Sequence, residues 1–100
     1  MIKHIVFWRL KEAAHGNDRA TNARLIREKL QALQGQIPGL LKLEVGFDFI
    51  GADTSSHVAL YSEMTDRAAL EVYQQHPLHQ AVAGFIKEAC LERRAVDYEC

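Results

Sequence analysis

The apolar residues of this chain switch between a spacing of two and a spacing of three and four, and the order of the switches restricts the folds open to it. Residues 2–10 are dense in β-branched and aromatic side chains and run out at Lys11-Glu12, ahead of Gly16-Asn17, which predicts a first strand. From Asp18, a plausible N-cap, Ala23, Ile26, Leu30, Leu33 and Ile37 recur on one helical face, so a helix is expected to stop near Gly35, before Pro38-Gly39 turns the chain. Residues 40–50 then alternate, with Leu41, Leu43, Val45, Phe47 and Phe49 opposite Lys42, Glu44, Gly46 and Asp48, as a second strand would. The polar run 51–56 reads as a hairpin loop into a third strand over 57–64. Thr65 or Asp66 caps a further helix carrying Ala69, Leu70, Val72 and Tyr73, and Pro77 breaks it. A second segment from Pro77 to about Cys90 carries Val82, Phe85, Ile86 and Ala89, and 92–98 closes the chain with a weaker strand pattern.

Short connections and right-handed crossovers fold β-α-β-β-α-β most simply into a ferredoxin-like α+β sandwich, a four-stranded antiparallel sheet with both helical segments on one face. The first strand complicates that picture, because Ile5 and Phe7 make its odd side apolar while Ile2, Val6, Trp8 and Leu10 make its even side at least as apolar. Helices cover one of these faces. The even face is therefore expected to meet a second copy of the chain, closing a homodimeric α/β barrel around an interior cavity.

With 100 residues, 48% hydrophobic and 25% charged, and no repeat or linker, residues 1–100 read as a single domain. The net charge is -1 and no run of like charge exceeds Arg93-Arg94, which argues against nucleic acid or an anionic membrane as partner. Apolar stretches such as Ile5–Trp8 fall far short of the roughly 20 residues that span a bilayer, and no small-residue cleavage pattern follows the N-terminus. Cys90, placed in the helix, and Cys100, at the C-terminus, can make neither a disulfide framework nor a complete zinc cage, so both are expected free in a cytoplasmic setting.

The sharpest local feature is Tyr73-Gln74-Gln75-His76-Pro77-Leu78-His79. His76 must be extended before Pro77, and His79 falls in the first turn of the next helix, where the positive end of the helix dipole disfavours imidazolium. A neutral His79 is a reasonable general base; the plainer alternative is that it packs against the sheet while His76 stays at the surface. His4 and Trp8 lie on the even side of the first strand and are expected to line the cavity. If Val58, Leu60 and Met64 face the helices, then His57, Tyr61 and Glu63 face that same cavity, either as substrate contacts or as hydrogen-bonding groups across a dimer seam. No metal site is expected, because Pro77 turns His76 and His79 apart and no H-E-x-x-H or C-x-x-C pattern supplies further ligands. No cofactor is expected either: phosphate-loop, G-x-G-x-x-G and G-x-S-x-G patterns are missing from the sequence, and Trp8, Phe47 and Phe49 read as core rather than as a stacking platform.

The opening run Met1–Lys11, Ile37-Pro38-Gly39 followed by Val45-Gly46, the Tyr73–His79 segment and the closing Val96-Asp97-Tyr98 together resemble the stress-responsive A/B barrel (Dabb) domain family. The resemblance implies a ferredoxin-like protomer and a homodimeric barrel. It also implies a range of functions, since the family includes small bacterial proteins, plant stress-associated proteins and plant polyketide cyclases. In the cyclases a tyrosine and a histidine support aldol-type ring closure of a polyketide thioester, roles that would fall here on Tyr73 and His79, with His4 and His57 also facing the pocket. Trp8, Glu63 and Phe85 depart from that pattern and would fill the pocket differently. The expected function is thus a small homodimeric protein that binds an aromatic or carbonyl-bearing metabolite. A cyclase-like or isomerase-like acid–base enzyme and a non-enzymatic stress-protective protein are alternatives, and fold analogy alone adds a cofactor-free or haem-dependent monooxygenase.

Overall fold

Each helix starts where a side chain satisfies a free backbone N–H. Asp18 accepts from Thr21 N–H at 2.8 Å, Asp66 accepts from Ala69 N–H at 2.8 Å, and the His76 ring accepts from Leu78 N–H at 3.1 Å through Nδ1. The computed structural model describes all residues from Met1 to Cys100. Its elements are β1 (Ile2–Leu10), a small hairpin of β2 (Ala13–Ala14) and β3 (Asn17–Asp18), α1 (Arg19–Gln31), β4 (Leu40–Phe47), β5 (Val58–Met64), α2 (Arg67–Gln75), α3 (Pro77–Ala89) and β6 (Cys90–Glu99).

The main sheet has the order β4-β5-β1-β6 with every neighbour antiparallel, which is the ferredoxin-like α+β arrangement. Three local expectations shift. Helix α1 ends at Gln31, and Leu33, Gln34 and Gln36 follow in tight turns whose N–H groups bond the carbonyls of Leu30, Gln31 and Leu33. Leu41 is the extra residue of a register shift between Leu40 and Lys42, so it leaves the alternating set and stands half exposed. Cys90 is the first residue of β6 rather than a helical residue, and both cysteines are free. No helix is long and apolar enough to cross a membrane.

Strand register corrects the expected assignment of faces. Val6 pairs with Leu60 and Trp8 with Val58, so the even side of β1 shares a face with the buried side of β5. That face is the one covered by the helices: Ile2, Val6, Trp8, Leu10, Val58, Leu60 and Met64 pack with Ile26 and Leu30 of α1, Tyr73 of α2, and Val82 and Ile86 of α3. The even residues of β1 therefore form the protomer's own core and are not free for a partner. The odd side carries Lys3, Ile5 and Phe7, in register with Glu63, Tyr61 and Ala59 of β5 and with Tyr98, Val96 and Arg94 of β6.

Candidate active site

The break between α2 and α3 sets the site. His76 is extended (φ -65°, ψ 134°), ending α2 and capping α3, and Pro77 occupies the first turn of α3, where its missing N–H costs nothing. The chain bends there without a loop. Tyr73, two residues from the end of α2, and His79, in the first turn of α3, are thereby brought together, with ring centroids 4.3 Å apart. His4 approaches Tyr73 edge-on at 5.8 Å from the sheet side.

These three rings line a cavity of about 340 Å³ between the sheet and α3, walled by Val6, Trp8, Leu30, Leu60, Ala83 and Ile86 and edged by Lys87, Cys90 and Arg93. Apolar walls with a few convergent polar groups are the usual form of a small-molecule site. The cavity lies inside one protomer and not between two sheets, as parity alone had suggested.

The polar groups are oriented. His79 Nδ1 lies 3.2 Å from the Gln74 carbonyl, which can only accept, so Nδ1 carries the proton and Nε2 keeps a lone pair. Burial, reinforced by the charges of His4, Arg93 and His76, holds the His79 pKa below the ordinary imidazole value although the Gln74 bond opposes it. Burial pushes the Tyr73 phenol up to about 12, partly offset by Arg93, so it stays protonated. The Tyr73 hydroxyl is buried and has no hydrogen-bond partner within the protein. The third polar group, His4, is buried in the sheet and donates from Nδ1 to the Asp97 carboxylate of β6, its register partner. Orientation of an imidazole by a carboxylate fixes its tautomer, leaving Nε2 for a ligand.

The sequence-derived residues divide into two places. Tyr73, His79, His4 and Trp8 share the cavity. His57 does not join them: its Nδ1 accepts from Leu10 N–H at 2.8 Å, and its backbone bonds Trp8 and Asp48, so it fastens the ends of β1, β4 and β5 together. Burial, then Arg19 and Arg9, lower its pKa. Tyr61 and Glu63 are on the other face of the sheet, where the tyrosine donates to Glu63 at 2.5 Å. Phe85 is also outside, stacked on His15 at 4.1 Å. His57 instead edges a second, more open hollow of about 540 Å³ with Phe7, Phe47 and Phe49, and the last two are exposed there rather than part of the core expected of them.

Asp97, Arg93 and Lys87 adjoin the cavity without having been singled out as site residues: the register of β6 sets Asp97 beside His4 and Arg93 beside Trp8, and Lys87 reaches the edge from the last turn of α3. No three His, Cys, Asp or Glu side chains converge as a metal-ligand set.

A four-stranded ferredoxin-like sheet whose helices enclose a tyrosine- and histidine-lined cavity defines a class of α/β-barrel protomer. The chain belongs to the stress responsive A/B barrel domain family, matching it over residues 2–100. It is 30% identical over 88 residues to an uncharacterized protein of Streptomyces coelicolor, covering 88% of this chain and 89% of that one. A dimeric protein of unknown function with a ferredoxin-like fold from Bacteroides fragilis superposes with a TM-score of 0.85 at 29% identity, over 99% of this chain and 95% of that chain. The hydroxynitrile lyase of Passiflora edulis shares the fold, with a TM-score of 0.80 at 20% identity over 97% of this chain and 90% of that one.

Proposed function

We propose that this protein is a homodimer whose protomers each bind a small carbonyl-bearing metabolite and carry out proton transfer next to the carbonyl. The observation that carries the reading is the buried, partnerless Tyr73 hydroxyl beside a His79 ring whose Nε2 is left free by the bond to Gln74. Native proteins rarely leave a buried hydroxyl unpaired, and a ligand oxygen would satisfy it.

In this reading neutral His79 Nε2 takes a proton from the carbon beside the carbonyl, and the Tyr73 hydroxyl donates to the oxygen on which negative charge develops. His4, held by Asp97, and Trp8 orient the substrate. A hydroxynitrile lyase on the same fold supports the scaffold's suitability for small-molecule chemistry, although at 20% identity the likeness extends to the fold alone. Self-association is supported by the dimeric Bacteroides fragilis protein, and the interface falls to the outer sheet face, where Phe7, Val96 and Tyr98 are exposed.

The test follows deuterium uptake by NMR at the carbons beside the carbonyl of a simple phenyl-bearing ketone, 4-phenyl-2-butanone. The protein should accelerate exchange well beyond free imidazole, and His79→Ala or Tyr73→Phe should each lower the rate by roughly 10²-fold. Because burial lowers the His79 pKa, the loss of rate in acid should have its midpoint below the ordinary imidazole value. Exchange no faster than that of imidazole would remove the enzymatic reading.

A further inference from the structure

We infer that the metabolite is an anion, carrying a carboxylate or phosphate that docks on Arg93 and Lys87 at the edge of the cavity; this rests on the pocket being the binding site proposed above. Arg93 and Lys87 edge the cavity, and no carboxylate is among the residues that line it. Carboxylates do lie nearby in sequence, yet each is engaged elsewhere: Glu88 faces His15 at 3.6 Å, Glu92 pairs with Arg94 at 2.6 Å, and Asp97 is bound by His4. The fourth ion pair joins Arg67 to Glu99, neither of which lines the cavity. Arg93 and Lys87 thus remain without an anionic partner in the protomer.

A lysine in the last turn of a helix is ordinarily explained by the helix dipole, and Lys87 of α3 alone would carry no inference. Arg93 has no such explanation. Its place on the cavity face is set by its pairing with Trp8 across β1 and β6, while Arg94, pairing with Phe7, is on the outer face. The field of Arg93 also reaches both rings, opposing the burial-driven rise of the Tyr73 pKa and adding to the burial-driven fall of the His79 pKa. The cavity is therefore apolar within and cationic at its edge. A guanidinium and an ammonium at the edge of one cavity match a carboxylate or phosphate, and the apolar walls match an aryl or alkyl body.

The experiment measures binding of three probes by calorimetry: 4-phenylbutyrate, 3-phenylpropyl phosphate and the neutral 4-phenylbutanamide. One or both anions should bind at least about tenfold more tightly than the amide, and their ranking tells carboxylate from phosphate. Arg93→Gln and Lys87→Gln should each erase most of that preference while amide affinity is unchanged, and Arg94→Gln should change nothing. Added sodium chloride should weaken the anions and spare the amide. Amide affinity equal to that of both anions, or an equal loss for all three probes in Arg93→Gln, would overturn the anion assignment and leave the pocket reading standing. Failure of all three probes to bind, together with unaccelerated ketone exchange, would overturn both.

Discussion

Tyr73 sets the demands of the proposed site against those of the fold. Its ring fills the space between His4 and His79, but its hydroxyl is buried without a partner, and an unsatisfied buried hydroxyl costs on the order of 1–3 kcal/mol. Phenylalanine keeps the ring and removes the cost. Tyr73→Phe is expected to be as stable as the parent or more so, by about 1 kcal/mol, while losing ketone exchange; thermal unfolding of the two proteins side by side checks this. A clear fall in melting temperature would mean that the hydroxyl has a structural partner and would undo the argument for a ligand there. His57 is the converse case, a histidine whose bond to Leu10 N–H makes it part of the framework.

At the scale of elements, the turn that feeds β4 is tied to the start of α2. Gly39 has φ +83°, its carbonyl accepts from Thr65 N–H at 3.0 Å, and a Cβ added there would come within 2.6 Å of the Ala69 side chain. Gly35 has nearly the same φ, +80°, with nothing within 4 Å of such a Cβ. The two sites separate backbone strain from crowding. Gly35→Ala should cost about 1 kcal/mol, the price of a left-handed conformation alone, whereas Gly39→Ala should cost about 2 kcal/mol or more, because α2 must also shift. Urea denaturation of both variants measures the difference, and equal losses would show that the α2 contact yields freely.

The whole molecule has one face covered by helices and one left bare. On the bare face Phe7 and Val96 are 41% and 49% exposed and lie two strand positions from one another's neighbours, with Ile5, Ala59 and Tyr61 in the same set. A sheet face of this composition is expected to be covered by a second copy. Phe7→Glu should give a folded monomer, with unchanged circular dichroism and a halved mass in sedimentation. Trp8→Glu, one residue along, should instead unfold the protein, since a carboxylate would be buried beneath α3 at a cost of several kcal/mol. A Phe7→Glu protein that remains a dimer would place the interface elsewhere.

Periodicity and punctuation were enough to locate the elements: Asp18 and Asp66 cap the helices as their positions indicate, Pro77 splits the second helical region, and the order of elements leads to the ferredoxin-like sheet. Tyr73 and His79 were legible as a pair for the same reason, since the geometry of a helix broken at proline is local. The small hairpin around His15-Gly16 was missed because its two strands are too short to show a period; both turn residues have positive φ, and it is held by the buried Asn22 amide, which donates to the Ala14 carbonyl. Which side of β1 met the helices could not be read from a strand apolar on both sides. That choice is made by register, a property of two strands and not of one: pairing Val6 with Leu60 sends His4 and Trp8 under the helices, and pairing Trp8 with Arg93 brings a cation to the same cavity. Local spacing carries the information for conformations set by neighbours in the chain, whereas the composition of a site built across strands is fixed only when their backbones bond.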